Sequence, residues 1–273
     1  MHWLLSLWQW LPTQIRFPIL RIVQRNNRVY RSLMLRHADA KDRAEGTRAH
    51  LPPAELRYRV GSSPHAEEFV TIGRTCAEDI KSALLKIGYD LGSFTRILDF
   101  GCGCGRTLVH MKSLAQRAQI DGTDIDARAI EWCSNHLNFA QFSLSKESPP
   151  IDYAADTFDF IYVISVFTHL DEDYQFRWLE ELRRIAKPGA ILLLTVNGLN
   201  DDHDRGFVFE RSYERGLFPA WYQNTYHSKK YVFSNFVHYF KVLGYFPKSM
   251  NAHQDVVILQ KEPITPELTS HGN

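Results

Sequence analysis

Three glycines stand at alternate positions directly after a short apolar run that ends in Asp99 and Phe100. They are Gly101, Gly103 and Gly105. Glycines placed so allow the backbone to turn sharply between a strand and a helix, and to approach a ligand where a Cβ would collide. Nineteen residues later stands Asp124, whose carboxylate can accept hydrogen bonds from both hydroxyls of a ribose. The pattern predicts a nucleotide or nucleoside site.

The charge around this loop favours a cationic ligand. A dinucleotide needs free amides at a helix N-terminus for its pyrophosphate, whereas here Asp99 stands two residues before the first glycine. S-adenosylmethionine has no phosphate but carries an ammonium and a sulfonium, so an acidic loop suits it. A nicotinamide-dependent oxidoreductase would share the glycines and the ribose acid, and it stays open as an alternative.

Short apolar runs alternate with amphipathic stretches around these residues, which predicts a doubly wound α/β domain with a mostly parallel sheet. The predicted strands are 95–100, 119–124, 158–165 and 191–196, with a terminal antiparallel pair at 245–249 and 255–261. The predicted helices are 66–86, 106–118, 127–137, 171–186 and one near 228–243, and a Lys-Pro-Gly stop follows the fourth. Residues 201–227 are expected to be a loop-dominated insert, and the last dozen residues a tail.

Four stretches in this order resemble the class I S-adenosylmethionine-dependent methyltransferases. They are Ile97 to Arg106, Asp121 to Asp126, Thr157 to Ser165 and Arg184 to Thr195. The resemblance implies a Rossmann-like, seven-stranded sheet with a C-terminal antiparallel hairpin, and S-adenosylmethionine as cofactor. It also implies an enzyme that methylates a small molecule, and it requires no metal.

The same resemblance implies roles for single residues. Those matching Asp99, Gly101 and Gly103 contact the methionine end of the cofactor, and the one matching Asp124 holds the ribose. The end of the fourth strand, from Ser165 onward, lies near the transferable methyl. The full set predicted to bind cofactor is Asp99, Phe100, Gly101, Cys102, Gly103, Asp124, Ile125, Ser165 and Val166.

The segment Ser165-Val-Phe-Thr-His-Leu170 is similar to methyltransferases of polysaccharide and glycolipid biosynthesis. The resemblance implies a hydroxyl of a sugar or glycolipid precursor as the acceptor. His169 follows the fourth strand, where a neutral imidazole could take a hydroxyl proton. A capping or packing histidine is the alternative for this position.

Other residues carry weaker alternatives. His227 and His253 could contact the acceptor or be turn histidines, and Asp255 could simply begin the last strand. Four aromatic residues could form a stacking wall for the acceptor or pack under a loop: Trp221, Tyr222, Tyr226 and Tyr231. Asp126 is expected to cap the helix that opens at Ala127, and Glu67 and Glu68 could line the cofactor cleft or face solvent.

The four cysteines are too few and too irregularly spaced for a disulfide framework or a Cys-x-x-Cys site. Cys102 and Cys104 form a Cys-x-Cys with no second pair, which is poor zinc spacing. The cysteines indicate a reducing, cytoplasmic compartment. The opening residues lack a basic n-region and a cleavage site, so they do not resemble a signal peptide.

The net charge of +1 hides an asymmetry along the chain. Residues 1–60 hold 11 Lys and Arg against 4 Asp and Glu, whereas residues 61–273 hold 21 against 27. We predict a basic helical extension at 1–60 and a methyltransferase domain at 61–273. Trp3, Trp8 and Trp10 and the arginines of residues 1–36 could contact an anionic membrane or dock on protein.

Nucleic acid is a less favoured partner, because the predicted catalytic part is net acidic and no RNA-binding aromatic signature occurs. The sequence carries no signal for an oligomeric state. The expected partner is therefore a small-molecule acceptor.

Overall fold

The computed structural model describes residues 27–46, 51–199, 206–211 and 223–262. The chain divides into two compact units, Met1–Ala66 and Glu67–Asn273. The tryptophans of the predicted extension, most of the predicted insert and the predicted tail lie outside the described residues. The boundary predicted between residues 60 and 61 stays a prediction.

The first unit contains two described helices, α1 (Asn27–Ala44) and α2 (Ala54–Gly61). Arg57 on α2 is only 1% exposed, and its guanidinium pairs with the carboxylate of Asp42 on α1. The same group donates to the carbonyls of Pro52 and Pro64. A buried charge is tolerated when it is paired and hydrogen-bonded, so this cluster ties the two helices together.

The second unit alternates strands and helices. Its helices are α3 (Ala66–Lys86), which begins at the division, α4 (Ala127–His136), α5 (Glu172–Ile185) and α6 (Lys229–Asn235). The strands β1 to β5 are Arg96–Phe100, Gln119–Asp124, Gln141–Leu144, Phe158–Val163 and Ala186–Leu199. The strands β6 to β9 are Phe207–Arg211, Gln223–Ser228, Lys241–Met250 and Gln254–Gln260.

Seven of these strands form the predicted sheet. β3, β2, β1, β4 and β5 lie side by side in that order and are parallel. β9 then pairs antiparallel with β5, and β8 pairs antiparallel with β9. The predicted doubly wound fold and its terminal antiparallel hairpin are confirmed.

Both faces of the central strands β1, β4 and β5 are buried, because alternate residues of these strands enter different hydrophobic clusters. Leu98 and Ile161 pack with the apolar side of α5, whereas Ile97 and Phe160 pack with that of α3. This explains why the strands appear in the sequence as continuous apolar runs. Because β1, β2, β4 and β5 are parallel, their carboxyl ends lie at one edge of the sheet.

The predicted loop-dominated insert contains a hairpin that the sequence did not reveal. β6 and β7 pair antiparallel, and β7 pairs in parallel with residues 197–199 of β5. β5 is longer than the predicted strand, because it includes the Lys187-Pro188-Gly189 segment; the helix stop predicted at this segment agrees with the end of α5 at Ile185. The hairpin therefore extends the sheet beyond the end of the central strands, next to the loop that follows β4.

The predicted helix at 106–118 is a 3₁₀ helix, Leu108–Gln116. Its apolar residues Leu108, Met111 and Leu114 recur every third position and pack into one cluster. A 3₁₀ helix has three residues per turn and places such residues on one side. The apolar spacing of this segment therefore suits the tighter helix.

Candidate active site

The glycine turn after β1 is held by the end of β2. The amides of Gly101 and Cys102 both donate to the carbonyl of Thr123, at 2.8 and 3.0 Å. Gly101 has φ +81°, and a Cβ built there would lie 2.3 Å from Cγ2 of Val166. A side chain at position 101 would thus collide with the protein itself, so the loop after β4 already requires this glycine.

Asp124 at the end of β2 has a carboxylate fixed in place by two backbone amides. Its Oδ2 accepts from the amide of Gly103 at 2.7 Å, and its Oδ1 accepts from the amide of Asp126 at 2.8 Å. A carboxylate oxygen can accept more than one hydrogen bond, so this orientation is compatible with the predicted contact with ribose. Asp126 caps α4 by accepting from the amide of Arg128, as expected.

Asp99 at the end of β1 is a buried carboxyl with an altered acidity. It is 3% exposed, and burial raises its pKa from 3.8 to about 7. The Tyr162 hydroxyl opposes this rise, the Asp124 carboxylate adds to it, and Arg106 opposes it. Asp99 therefore changes its charge near neutral pH, next to the turn predicted to receive a cationic ligand.

The side chains of Phe100 and Cys102 point into the protein. The Phe100 ring packs on Trp178 with centroids 4.8 Å apart, and the thiols of Cys102 and Cys133 lie 3.5 and 3.6 Å from the carbonyl of Gly103. These positions can present only backbone atoms to a ligand. Their contact with the cofactor stays a prediction, and it would be made by their backbone atoms.

The described cysteines do not form a metal site. Cys104 is fully buried, and burial raises the pKa of its thiol. Among the described residues, no three His, Cys, Asp or Glu side chains are grouped so that they could hold a metal ion. The Cys-x-Cys pair thus belongs to the packing of the turn.

Exposed apolar side chains lie beside Asp124. Ile125 is 43% and Leu144 57% exposed, and Leu144 on β3 is the register partner of Asp124 on β2. Apolar surface next to a ribose-binding carboxylate is suited to the flat face of a base. The contact of Ile125 with the cofactor stays a prediction, and its exposed side chain is available for that contact.

Ser165, two residues after the end of β4, has a strained backbone conformation. Its φ is +59°, which is uncommon for a residue with a Cβ. Its amide donates to Oγ1 of Thr195 at 2.8 Å, and its hydroxyl donates to Oε1 of Gln254 at 3.0 Å. Such strain persists where the surroundings fix it and is frequent at functional sites.

His169 lies at the end of the same loop, on the edge of the sheet where the sequence places it. Its Nδ1 is 2.7 Å from the carbonyl of Gln223 on β7, so Nδ1 carries the hydrogen and Nε2 the lone pair. Burial lowers the pKa of this histidine from 6.5 to about 4, and the Gln223 carbonyl opposes that change. The ring is therefore neutral at physiological pH, as a proton acceptor must be.

The other histidines and aromatic residues are placed differently. His227 is fully buried in β7 and contacts Gln175, so it is not a turn histidine and its ring exposes no surface to an acceptor. His253 lies exposed in the turn between β8 and β9, and Asp255 is buried in β9. Tyr231 packs in a cluster with Phe207, whereas Trp221 and Tyr222 lie outside the described residues.

The remaining acidic candidates are accounted for by their positions. The Asp255 carboxylate accepts from the hydroxyl of Tyr245 at 2.5 Å and from the amide of Lys248 at 2.8 Å. It holds β8 against β9. Glu67 and Glu68 are exposed in the first turn of α3.

Three polar residues of the site were not predicted: Thr195, Gln254 and Gln175. Thr195 and Gln254 contact Ser165. The fully buried Gln175 contacts the carbonyl of Phe167, in the loop that begins at Ser165. Only Gln175 had a local signal, because it is a polar residue at helical spacing from the buried apolar residues Trp178 and Leu179 of α5. The other two are brought in by pairing between distant strands.

Comparisons with known proteins agree with this architecture. Residues 98–192 match a family model described as a methyltransferase domain. The ribosomal RNA small subunit methyltransferase C of Hahella chejuensis (strain KCTC 2396) is 30% identical over 110 residues, which cover 37% of this chain and 31% of that protein. The match thus spans about a third of the length of that curated relative.

Two solved structures share the fold. An S-adenosylmethionine-dependent methyltransferase from Clostridium acetobutylicum ATCC 824 has a TM-score of 0.51 and 13% identity, covering 69% of this chain and 91% of that one. The glycopeptide N-methyltransferase MtfA has a TM-score of 0.50 and 12% identity, covering 68% and 94%.

Residues 98–192 thus match a methyltransferase domain, and the solved structures show that the surrounding fold is shared. The domain match agrees with the predicted enzyme class, and binding of the predicted cofactor, S-adenosylmethionine, is taken up in the proposal below. These matches leave the sugar acceptor as a proposal. Among the described helices, none is long and apolar enough to cross a membrane.

Proposed function

We propose that this protein transfers the methyl group of S-adenosylmethionine to a hydroxyl of a small molecule, a sugar or glycolipid precursor. The observation that carries the proposal is the pair of carboxylates, Asp99 and Asp124, at the ends of adjacent parallel strands on either side of a glycine turn. Both residues lie within the range 98–192 that matches the methyltransferase domain.

The residues at this edge fit the cofactor group by group. Asp99, when ionised, attracts a cation, and Asp124 is oriented to accept from ribose hydroxyls. Ile125 and Leu144 offer apolar surface for the base. The turn at Gly101 brings Val166 and the loop after β4 against the same site.

When bound, the cofactor supplies an electrophilic methyl group on a sulfonium that is already a good leaving group. The protein has mainly to align the acceptor and exclude water from the reacting pair. The loop of residues 165–170 is suited to alignment, because Ser165 and His169 are both fixed by hydrogen bonds. His169 would accept the hydroxyl proton at Nε2, while Nδ1 keeps its bond to the Gln223 carbonyl.

Binding of the cofactor is the first test. We expect isothermal titration calorimetry to detect S-adenosylmethionine and S-adenosylhomocysteine, with Asp124→Asn weakening both at least about tenfold through loss of a charged acceptor. Asp152→Asn is the matched control, because the Asp152 side chain is 95% exposed. Absence of binding at millimolar ligand, or NAD binding instead, would contradict the proposal.

The acceptor is tested by a screen with radiolabelled S-adenosylmethionine and mass spectrometry of the product. The panel holds sugar nucleotides and glycolipid precursors, other hydroxylated metabolites, and ribosomal RNA. Labelling of a sugar hydroxyl supports the proposed acceptor. Labelling of another metabolite or of ribosomal RNA alone would replace it, the latter in line with the Hahella relative.

We also propose that residues 1–36 make a peripheral contact with an anionic membrane. The support is their charge and the exposed part of α1, where Leu33 is 56% exposed and Arg36 is also exposed. An apolar side chain beside a cationic one on a helix surface favours the interface of an anionic bilayer.

A further inference from the structure

The loop that follows β4 has its backbone carbonyls bound by two neighbouring elements. The carbonyl of Phe167 accepts from Nε2 of Gln175 at 3.0 Å and from Oγ1 of Thr225 at 2.7 Å. The carbonyl of Thr168 accepts from the amide of Thr225 at 2.8 Å. The carbonyl of Leu170 accepts from Nε2 of Gln175 at 2.9 Å. The loop is therefore held by α5 on one side and by β7 on the other.

The residues of β7 that face this loop alternate along the strand. Gln223, Thr225 and His227 are all buried, whereas Asn224 and Tyr226 between them are only half-buried. Since alternate residues of a strand share a face, these three form one row. Gln223 offers its carbonyl to Nδ1 of His169, Thr225 binds two loop carbonyls, and His227 contacts Gln175.

The bond between Gln175 and His227 has a defined direction. Both loop contacts of Gln175 use its amide nitrogen, so its Oε1 is an acceptor for Nε2 of His227, at 2.8 Å. His227 therefore carries its hydrogen on Nε2, and burial lowers its pKa to about 3, which keeps the ring neutral. Nδ1 of His227 has no hydrogen-bond partner among the described residues, so the ring's one bond is committed to Gln175.

The row is anchored independently of the loop. Nδ2 of Asn197 on β5 donates to the carbonyl of Thr225 at 3.0 Å, and β7 pairs with β5 from Asn197 to Leu199. β7 thus extends a rigid central strand and meets the loop with ordered donors and acceptors. The hairpin that lies outside the seven-stranded sheet is in this way a support for the loop carrying His169.

We propose that Gln175 and Thr225 are positioning residues that hold the loop of residues 165–170, and through it the His169 ring, in the orientation used for catalysis. The proposal rests on the proposed function, because it gives His169 the role of proton acceptor. On this proposal β7 orients the His169 ring for the reaction, in addition to its part in the fold. The two residues act together, since the Phe167 carbonyl accepts from both.

The test uses the full chain with ¹⁵N-labelled histidine, and reads the ring tautomer of His169 by NMR at pH 7. In the wild type we expect a single neutral form of His169 with hydrogen on Nδ1. Thr225→Val removes one hydroxyl with little change of shape, and Gln175→Met removes both amide bonds to the loop. We expect both variants to convert the His169 signals to an average of the two neutral tautomers, more completely in Gln175→Met.

Two further variants separate positioning from folding. Thr225→Ser retains the hydroxyl and should restore the wild-type His169 signals, and Tyr226→Phe removes a hydroxyl from the other face of β7 and should leave them unchanged. Wild-type His169 signals in both Thr225→Val and Gln175→Met would overturn the proposal. If Gln175→Met does not fold, Thr225→Val alone decides.

S-adenosylmethionine binding is measured on the same samples. We expect the Kd of Thr225→Val to stay within about twofold of the wild type, because Asp99 and Asp124, which are predicted to bind the cofactor, are on other strands. If the wild-type protein does not bind S-adenosylmethionine, the proposed function is contradicted. Intact binding with an unaltered His169 would contradict the positioning role alone.

Discussion

Asp99 combines a structural cost with a predicted binding role. A buried carboxyl with a raised pKa disfavours the charged form in the folded protein, so it lowers the free energy of unfolding as pH rises. The decrease begins above the ordinary value of 3.8 and is complete above about 7. A change of this size corresponds to at most about 4 kcal/mol. Tyr162 and Arg106, which favour the charged form, reduce this cost, whereas Asp124 adds to it.

Asp99→Asn should therefore stabilise the apo protein and weaken cofactor binding. We expect urea unfolding to show a gain in the free energy of unfolding at pH 8 and a smaller gain at pH 5, because Asp99 is mostly protonated there. The Kd for S-adenosylmethionine at pH 8 should rise through loss of the anion. The raised pKa of Asp99 would not explain the stabilisation if the free energy of unfolding rose equally at both pH values. The same conclusion would follow if Asp99→Asn were no more stable than the control variant Asp152→Asn.

His169 can be tested separately from its support. His169→Gln keeps a donor able to reach the Gln223 carbonyl but removes the basic nitrogen. We expect turnover of the identified acceptor to fall about 10²-fold or more, with the cofactor Kd unchanged. Because the His169 pKa is about 4, wild-type turnover should show no loss attributable to this residue between pH 6 and 9. Near wild-type turnover of the variant across that range would remove His169 from the mechanism.

The sequence predicted the residues whose role depends on their own strand. Asp99 and Asp124 are recognisable because each follows a buried run, and parallel strands bring their ends to one edge. Thr195, Gln254 and Thr225 act through contacts with residues 30 to 89 positions away along the chain. Such contacts depend on strand pairing, which a local pattern does not contain.

At the scale of elements, burial decided which strands the sequence could predict. β1, β4 and β5 place apolar residues on both faces, and β2 places Ile120 in the core. All four strands were predicted within a few residues, although β5 is longer than expected. β3 has four residues, none of them buried. β7 is polar throughout, and its buried side chains use hydrogen bonds where core strands use apolar contacts. Patterns of hydrophobicity therefore could not reveal β3 or the β6–β7 hairpin.

The contact between the glycine turn and the loop after β4 gives a prediction about two elements together. Gly101→Ala adds a Cβ that would lie 2.3 Å from Val166, whereas Gly189→Ala adds one with nothing within 4 Å. Both glycines have similar positive φ values, +81° and +83°, so both substitutions carry the same backbone strain of about 1–2 kcal/mol. The difference between them isolates the collision.

We expect Gly189→Ala to lower the free energy of unfolding by that strain alone and to bind S-adenosylmethionine normally. Gly101→Ala should be less stable by a further 1 kcal/mol, roughly, and should bind cofactor weakly. Adding Val166→Ala to Gly101→Ala removes the obstructing methyl and should recover part of the binding. Equal stability of the two glycine variants would mean that the loop moves aside at no cost.

At the scale of the whole chain, positive charge is concentrated in the first 60 residues and negative charge in the remainder. The net charge of residues 1–60 is +7, and that of residues 61–273 is −6. Part of the positive charge has a structural use, since Arg57 is buried against Asp42. The described α1 keeps Arg36, Lys41 and Arg43 exposed. The predicted acidic domain suits a cationic cofactor, and the predicted basic extension suits an anionic surface.

This division predicts that the full chain sediments with vesicles of phosphatidylcholine and phosphatidylserine but not with phosphatidylcholine alone. Each arginine near an anionic surface contributes about 1 kcal/mol at low salt, and the Debye length falls from about 10 Å at 0.1 M to about 3 Å at 1 M. Binding should therefore decline steeply between these salt concentrations. Deleting residues 1–36 should abolish it while leaving the cofactor Kd unchanged. A truncated chain that sediments like the full one would refute the membrane contact, and cofactor binding in the same sample shows that the methyltransferase domain is intact.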